Sequence, residues 1–389
     1  MTINCSEEIS LIVTGDFCPD ARVEDLCVRG NYEKIYNEAL PILKNKDFSI
    51  TNLECPLTDK TNRILKSGPH LKANPKCIDA IKYGGFDAVT LGNNHILDQG
   101  DSGLYDTKSM CKDAGIKTVG VGENIQESCE PLYVHIGGKD LAILNFAENE
   151  FSIAGENSAG ANPLNAVANY YQITEAKKNA SVVLVIVHGG HEYYHLPSPR
   201  MVETYRFFAE LGATAVIGHH THCPSGFETY KGVPIFYSLG NFIFDRRYNN
   251  FSGWFKGYFV NLIITDCSVR RFELFPYFQC YNSVGLNLMD GDQKKQFIKE
   301  LDWLSKVIQD PKLLAIEWNR FCENREVEYL SRLLRYGRIR RQLIKRKLFR
   351  KFIMRRGNLA RLLNMFMCES HREVVVSAIT KEISRRQKA

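Results

Sequence analysis

The chain has 389 residues, 44% of them hydrophobic, with 50 Lys and Arg against 44 Asp and Glu and a formal net charge of +6. That length exceeds one ordinary core, so a main domain with an appendage is expected. No apolar run reaches the roughly 18 residues of a membrane-spanning helix, and the opening Met1-Thr2-Ile3-Asn4-Cys5-Ser6 lacks the basic and apolar regions of a secretory signal, which makes the cytoplasm the expected location.

Along the chain, β-branched apolar runs alternate with helical patterns in the manner of an α/β fold. Strands are predicted at Ile9 to Thr14, Phe48 to Leu53, Ala88 to Leu91, Thr118 to Val121, Leu141 to Phe146, Val182 to Val187 and Ala215 to Ile217. Between them, helices are predicted at Tyr32 to Asn45, Lys76 to Tyr83, Ser102 to Ala114, Ala166 to Asn179 and Pro199 to Leu211. Pro41 falls inside the first of these and should kink or divide it. After Gly226 the strands become short and closely spaced (Phe227 to Tyr230, Val233 to Ser238, Tyr258 to Ile264, Arg270 to Tyr277), which predicts hairpins and a mixed sheet. Two loop-like stretches stand out: Glu150 to Asn162, placed to cover a site, and Asp245 to Gly253. From Asp290 the pattern is helical, clearest over Asp292 to Ile308. The expected division is a main domain over 1–285 and a helical, basic region over 286–389.

The twelve cysteines are scattered, with no C-x-x-C, so neither a zinc ribbon nor a thioredoxin motif is supported. Reduced thiols are the simpler reading, and Cys111 reads as a small core residue.

Seven of the ten histidines fall in three short segments, at His95, at His188, His191 and His195, and at His219, His220 and His222. Each segment follows a predicted strand, and ligands of open α/β sheets bind outside the carboxyl ends of strands. Asp16 and Glu54 end the first two strands, and Asn94 precedes His95. Imidazole is the commonest metal ligand, and a dinuclear site needs nitrogen and oxygen donors with a carboxylate able to bridge two ions. Asp16, Glu54, Asn94, His188, His220 and His222 are therefore the candidate metal ligands. Taken singly, Asp16 and Glu54 also read as turn or cap residues, Asn94 as an Asx turn, and His95 as a buried, hydrogen-bonded histidine. Asp98 and Gly100 read as residues that shape the turn and cap the next helix.

These segments resemble the CapA capsule-biosynthesis family of the calcineurin-like metallophosphatase superfamily. The resemblance rests on Gly15-Asp16, Asn52-Leu53-Glu54-Cys55-Pro56-Leu57-Thr58, Asn93-Asn94-His95-Ile96-Leu97-Asp98-Gln99-Gly100, His188-Gly189-Gly190-His191-Glu192-Tyr193, Gly218-His219-His220-Thr221-His222 and Tyr237-Ser238-Leu239-Gly240-Asn241-Phe242. It covers about Ile9 to Tyr277 and implies a four-layer α/β/β/α sandwich with metals at the strand ends. By this resemblance Asp16 would hold the first of two divalent ions (Mn, Fe or Zn), Asn94 and His188 the second, and Glu54 would bridge them. His220 and His222 would serve one ion each. His95 would be the catalytic histidine, and the nucleophile would be a water whose pKa the metal lowers toward neutrality. Glu192 would orient a ligand histidine from behind, and Asn241 and Asp245 would bind substrate or support a loop. His219 is assigned a supporting or structural role behind the ligands, and His191 a place lining the cavity. Cys18 stands where the wider superfamily has a histidine, and reads either as a ligand or as apolar filler. Glu54 replaces the superfamily's Asp and is longer by one methylene.

Charge is unevenly spread. From Ser331 to Ala389, 18 Lys and Arg face three Glu, so an acidic body carries a basic tail. Tyr336, Ile339, Leu343, Leu348, Phe352 and Ile353 recur at near-helical spacing among those cations, and the apolar pattern resumes over Leu359 to Met367. Such a region suits an anionic polymer, peripheral attachment at the inner membrane surface, or packing on a protein partner. Nucleic acid fits less well, because no nucleic-acid-binding motif accompanies the charge. The leading expectation is a metal-dependent hydrolase of a phosphoester or related bond, in capsule, exopolysaccharide or poly-γ-glutamate production, acting on an anionic substrate. Two rivals stand beside it: a non-catalytic assembly component that binds an acidic polymer, a membrane or a synthase subunit, and a metal-dependent amide hydrolase on poly-γ-glutamate.

Overall fold

Burial on both faces requires near-continuous apolar strands, and Phe48–Leu53, Val182–His188 and Ala215–His219 are buried throughout, within two large sheets beside a two-stranded one. The structure, a computed structural model, describes residues 8–246, 249–333, 337 and 356–387. The first sheet runs in the order Leu286–Leu288, Ser268–Gln279, Lys256–Thr265, Ile9–Cys18, Phe48–Leu53, Ala88–Thr90 and Lys117–Val119, and Asn241–Phe244 pairs with the far end of Ile9–Cys18. Its N-terminal strands are parallel, whereas Lys256–Thr265 and its neighbours are antiparallel, so the sheet is mixed. The second sheet runs Phe227–Tyr230, Val233–Phe236, Ala215–His219, Val182–His188, Lys139–Ala147 and Leu132–Ile136.

Alternation sorts the side chains into layers. Leu11 and Val13 join the core between the sheets, while Ile12 and Phe17 point into a separate outer core. That outer core packs Val23, Ile35, Ile78, Leu104 and Cys111 of the covering helices against the first sheet. On the far side, Ile173, Met201, Tyr205 and Phe208 of the helices Ala166–Asn179 and Pro199–Glu210 cover the second sheet. The result is the four-layer α/β/β/α sandwich.

Local signals account for the helix ends. Asn165 and Ser198 accept backbone N–H groups as N-caps, and Gly115, at φ +78°, ends the helix Gly100–Ala114. The predicted helix around Pro41 is divided into Glu33–Tyr36, a 3-10 turn at Asn37–Ala39 and Leu40–Lys44, with proline in the first turn where its missing N–H costs nothing. Several elements were not visible in the periodicity, among them the helices Ala21–Val28 and Ile125–Ser128 and the strands Leu132–Ile136, Asn241–Phe244 and Leu286–Leu288.

The chain divides into compact units over Met1–Ala315 and Ile316–Ala389. The helix Gly291–Gln309 belongs to the first, burying Phe297, Leu301, Leu304 and Ile308 in the same core as the second sheet. The second unit contains the helices Arg356–Met367 and Glu369–Gln387. The apolar stripe from Tyr336 to Ile353 lies outside the described residues. Among those described, no helix is long and apolar enough to cross a membrane.

Candidate metal centre

Strand register delivers the polar side chains to one place. Asp16 lies beside Asn52 on one flank and Asn241 on the other, and His188 lies beside His219 in the second sheet. Close approach at Asp16 depends on Gly15, where a Cβ would fall 1.9 Å from the carbonyl oxygen of Gly240. That carbonyl accepts the Asp16 amide at 3.2 Å. The histidine turn is conformationally demanding: His220 and His222 adopt φ +89° and +56°, and neighbouring Tyr193 +62°. Left-handed backbone at non-glycine residues is costly and concentrates at functional sites.

All six candidate ligands are buried, and five of them form two triplets. Glu54, His188 and His220 make one, and Asp16, Glu54 and His222 the other, with ligand atoms in each within 4.8 Å of one another. Glu54 is common to both, the position of a bridging carboxylate. Asn94 joins the first group, its Oδ1 lying 3.0 Å from His188 Nε2.

Asp16 Oδ1 accepts from Asn52 Nδ2 at 2.7 Å, and Oδ2 accepts the His220 amide at 3.2 Å. His219 Nδ1 lies 3.3 Å from the same carboxylate, which gives that histidine a supporting position. Burial alone would raise the Asp16 pKa, but the rings of His219, His188 and His222 outweigh it and hold the carboxyl below its usual range. Glu54 is driven the other way, well above its usual range, by burial and then by the charge of Asp16. Burial also lowers the pKa of His188, His222 and His95, which keeps the rings neutral as ligation requires.

Glu54 supplies the test of fit for a metal. Both of its carboxylate oxygens are buried, and neither has a hydrogen-bond partner among the described residues. A buried polar atom left this way costs about 1–3 kcal/mol, more if charged, and a divalent cation would satisfy it. Carboxylates, neutral imidazoles and an amide oxygen are the donors that Mn, Fe and Zn accept. The residues fit the group.

His95 stands beside this cluster. Its Nδ1 lies 2.6 Å from Asp98 Oδ2, and Asp98 also pairs with the buried ammonium of Lys66. Asp98, read from sequence as a turn-shaping residue, is thus the anchor of the catalytic-histidine candidate. The helix it precedes has no side-chain cap. Lys66 carried no sequence signal, since a lone lysine in a loop is ordinary. Glu150 opens the loop expected to cover a site, and its carboxylate accepts from Asn94 Nδ2 at 3.2 Å.

The remaining predicted residues lie at different depths around the cluster. Asn241 is buried and accepts from His222 Nδ1 at 2.9 Å, fixing that ring from behind. Asp245 forms a two-pronged pair with Arg22, at 2.7 Å for each bond, and so braces the end of its strand. Glu192 is exposed, and its negative charge is felt at Glu54 and His222. His191 lines a small cavity with Gly189, Tyr194 and Thr221. Cys18 lies in the outer core with Cys55 and belongs to neither ligand triplet.

A four-layer sandwich with a buried cluster of carboxylates and histidines gathered at the strand ends of both sheets defines a metallophosphatase-like protein. The chain belongs to the bacterial capsule synthesis protein family PGA_cap, whose family model matches residues 10–246. It is 34% identical over 250 residues to the capsule biosynthesis protein CapA of Bacillus anthracis, covering 62% of this chain and 61% of that protein. It is 29% identical over 275 residues to the PGA biosynthesis protein CapA of Bacillus subtilis (strain 168), covering 69% and 71%. The chain thus spans less than two thirds of the Bacillus anthracis relative. Among solved structures, a hypothetical protein from Thermus thermophilus aligns with a TM-score of 0.44 at 13% identity, over 69% of this chain and 99% of that one.

Proposed function

We propose that this chain is a hydrolase that uses two divalent cations of the Mn, Fe or Zn type, cleaving a phosphoester or related bond in the production of a bacterial capsule or poly-γ-glutamate. The observation that carries the chemistry is the shared Glu54, buried, unbonded and common to both ligand triplets. Relatives named for capsule and PGA biosynthesis support the biological setting.

Cations held there would lower the pKa of a bound water and offset charge on the group being transferred. The protein's own residues supply the rest. Asp16, through Asn52 and the His220 amide, is fixed in its ionised form. Asp98 accepts the Nδ1 proton of His95, so Nε2 carries the lone pair and can take a proton or return one to a leaving oxygen. Lys66, paired with Asp98, holds that carboxylate in place. The basic tail, 331–389, is proposed to attach the protein to an anionic polymer or membrane surface.

The test is a panel of phosphomonoesters, phosphodiesters and γ-glutamyl amides, offered to protein purified without chelators and assayed for metal. His95→Ala should lower kcat by about 100- to 10,000-fold on the accepted substrate while leaving metal content unchanged. Metal-free protein with no turnover that still binds poly-γ-glutamate would favour the assembly role instead, and turnover of the amides alone would move the scissile bond.

A further inference from the structure

The two histidines of the closing motif are held from behind by different partners. His222 is oriented by Asn241, buried on a strand. His220 presents Nδ1 to the cluster, 3.1 Å from His188 Nε2, and its other nitrogen, Nε2, faces Glu150 Oε1 at 3.9 Å. The same carboxylate, through Oε2, accepts the Asn94 amide N–H at 3.2 Å. A carboxylate is an acceptor only, so the Asn94 atom bonded to it must be the donor nitrogen. For Asn94 that leaves Oδ1, the metal-binding atom, turned toward His188. For His220, whose Nε2 is beyond hydrogen-bond distance, the negative charge acts across 3.9 Å and favours the tautomer with hydrogen on Nε2, which leaves the Nδ1 lone pair for the cation.

We propose that Glu150 is the positioning residue of the second metal subsite, selecting the ligating atoms of Asn94 and His220 together. This rests on the metal-centre reading above. The backbone supports the assignment independently. Ser152, two residues on and buried, donates its hydroxyl to the Asn94 carbonyl at 2.9 Å and accepts the Leu97 amide at 3.3 Å. The stretch that carries Glu150 is thereby fastened to the turn that carries Asn94. On the other side the Glu148 amide bonds the His188 carbonyl at 2.9 Å. The carboxylate is thus held between two strand-end turns, while its side chain remains 40% exposed. Removing it should cost little folding stability. Partners of this kind behind metal ligands typically change affinity by about 10–100-fold.

The experiment titrates Mn²⁺ into the metal-free full chain by calorimetry, for wild type, Glu150→Ala, Glu150→Gln and His220→Ala, with thermal melting of each metal-free form. Wild type should take up two ions. Glu150→Ala should weaken by about 10–100-fold the same step that His220→Ala removes, with the other step and the metal-free melting temperature unchanged. Glu150→Gln should fall between, since its amide oxygen still accepts from Asn94 but brings no charge to His220. Glu150→Ala titrating like wild type would overturn the assignment while leaving the metal centre intact. So would equal weakening of both steps with a lowered melting temperature, the mark of a merely structural loop. Wild type that takes up no Mn²⁺ would overturn the metal centre and this inference with it.

Discussion

The two halves of the candidate metal centre are built differently. On the Asp16–His222 side, every supporting contact is buried: Asn52 and the His220 amide on Asp16, Asn241 on His222. On the Asn94–His220 side, His188 is also backed by buried Asn52, 3.2 Å from its Nδ1, but Asn94 and His220 face a half-exposed loop carboxylate, Glu150. The first half is supported wholly by buried groups, and the second is completed by the chain segment that covers it. One cation should therefore be held by the fold itself, and the other by a loop that can be altered without disturbing the fold.

The largest effect is expected where the halves meet. Glu54→Gln should abolish paired uptake, weakening Mn²⁺ binding by about 100-fold or more at each step, because Glu54 belongs to both triplets. The metal-free protein should melt no lower than wild type. Burial already pushes this carboxyl toward its neutral form, and an amide of the same shape carries no charge to desolvate. A variant that binds both ions like wild type would remove Glu54 from the centre.

Next comes Asn241→Ala, the counterpart of Glu150→Ala on the buried side. It should weaken the Asp16–His222 step by about 10–100-fold. Unlike the loop substitution it should also cost about 1–3 kcal/mol of metal-free stability, since its amide donates to the carbonyls of His222 and Trp254. Matching melting temperatures for the two variants would erase the distinction between the halves.

The smallest effect concerns the bracing of that buried side. Burial raises the Asp20 pKa to about 7 from its ordinary value of 3.8. Its carboxylate accepts the Asp245 amide at 3.0 Å, next to the strand that carries Asn241. The folded state then holds a proton that the unfolded chain has lost, so this group's contribution is complete below about pH 4 and declines as pH rises toward 7. Asp20→Asn should be free of that decline, gaining about 1–3 kcal/mol on wild type between pH 4 and 8. Parallel stability curves across that range would contradict it.

Much of this was legible in the sequence because strand ends announce themselves. A β-branched run followed by Asp16, Glu54, Asn94, His188 or His220 places the side chain at a sheet's edge whatever the exact register. The supporting residues were legible only in part: His219 and Asn241 stand in motifs, but others do not. Lys66 and Glu150 sit in irregular segments, and their partners lie 32 and 56 residues away in the chain, at Asp98 and Asn94. No local periodicity encodes such distances. Asp98 was misread for a related reason: an acidic residue before a helix looks like a cap, and only the packing of the Lys66 loop reveals its other partner. The strand Asn241–Phe244 was hidden by its brevity, being four residues that pair only with the end of Ile9–Cys18.

The central claim is that Glu54 joins two cation sites lodged between the sheets. Anomalous diffraction from crystals of the full chain, purified without chelators and supplied with Mn²⁺, tests it most directly. Two peaks are predicted, both within bonding distance of Glu54, one flanked by Asp16 and His222 and the other by Asn94, His188 and His220. No peak at Glu54, or peaks only on surface residues, would contradict it.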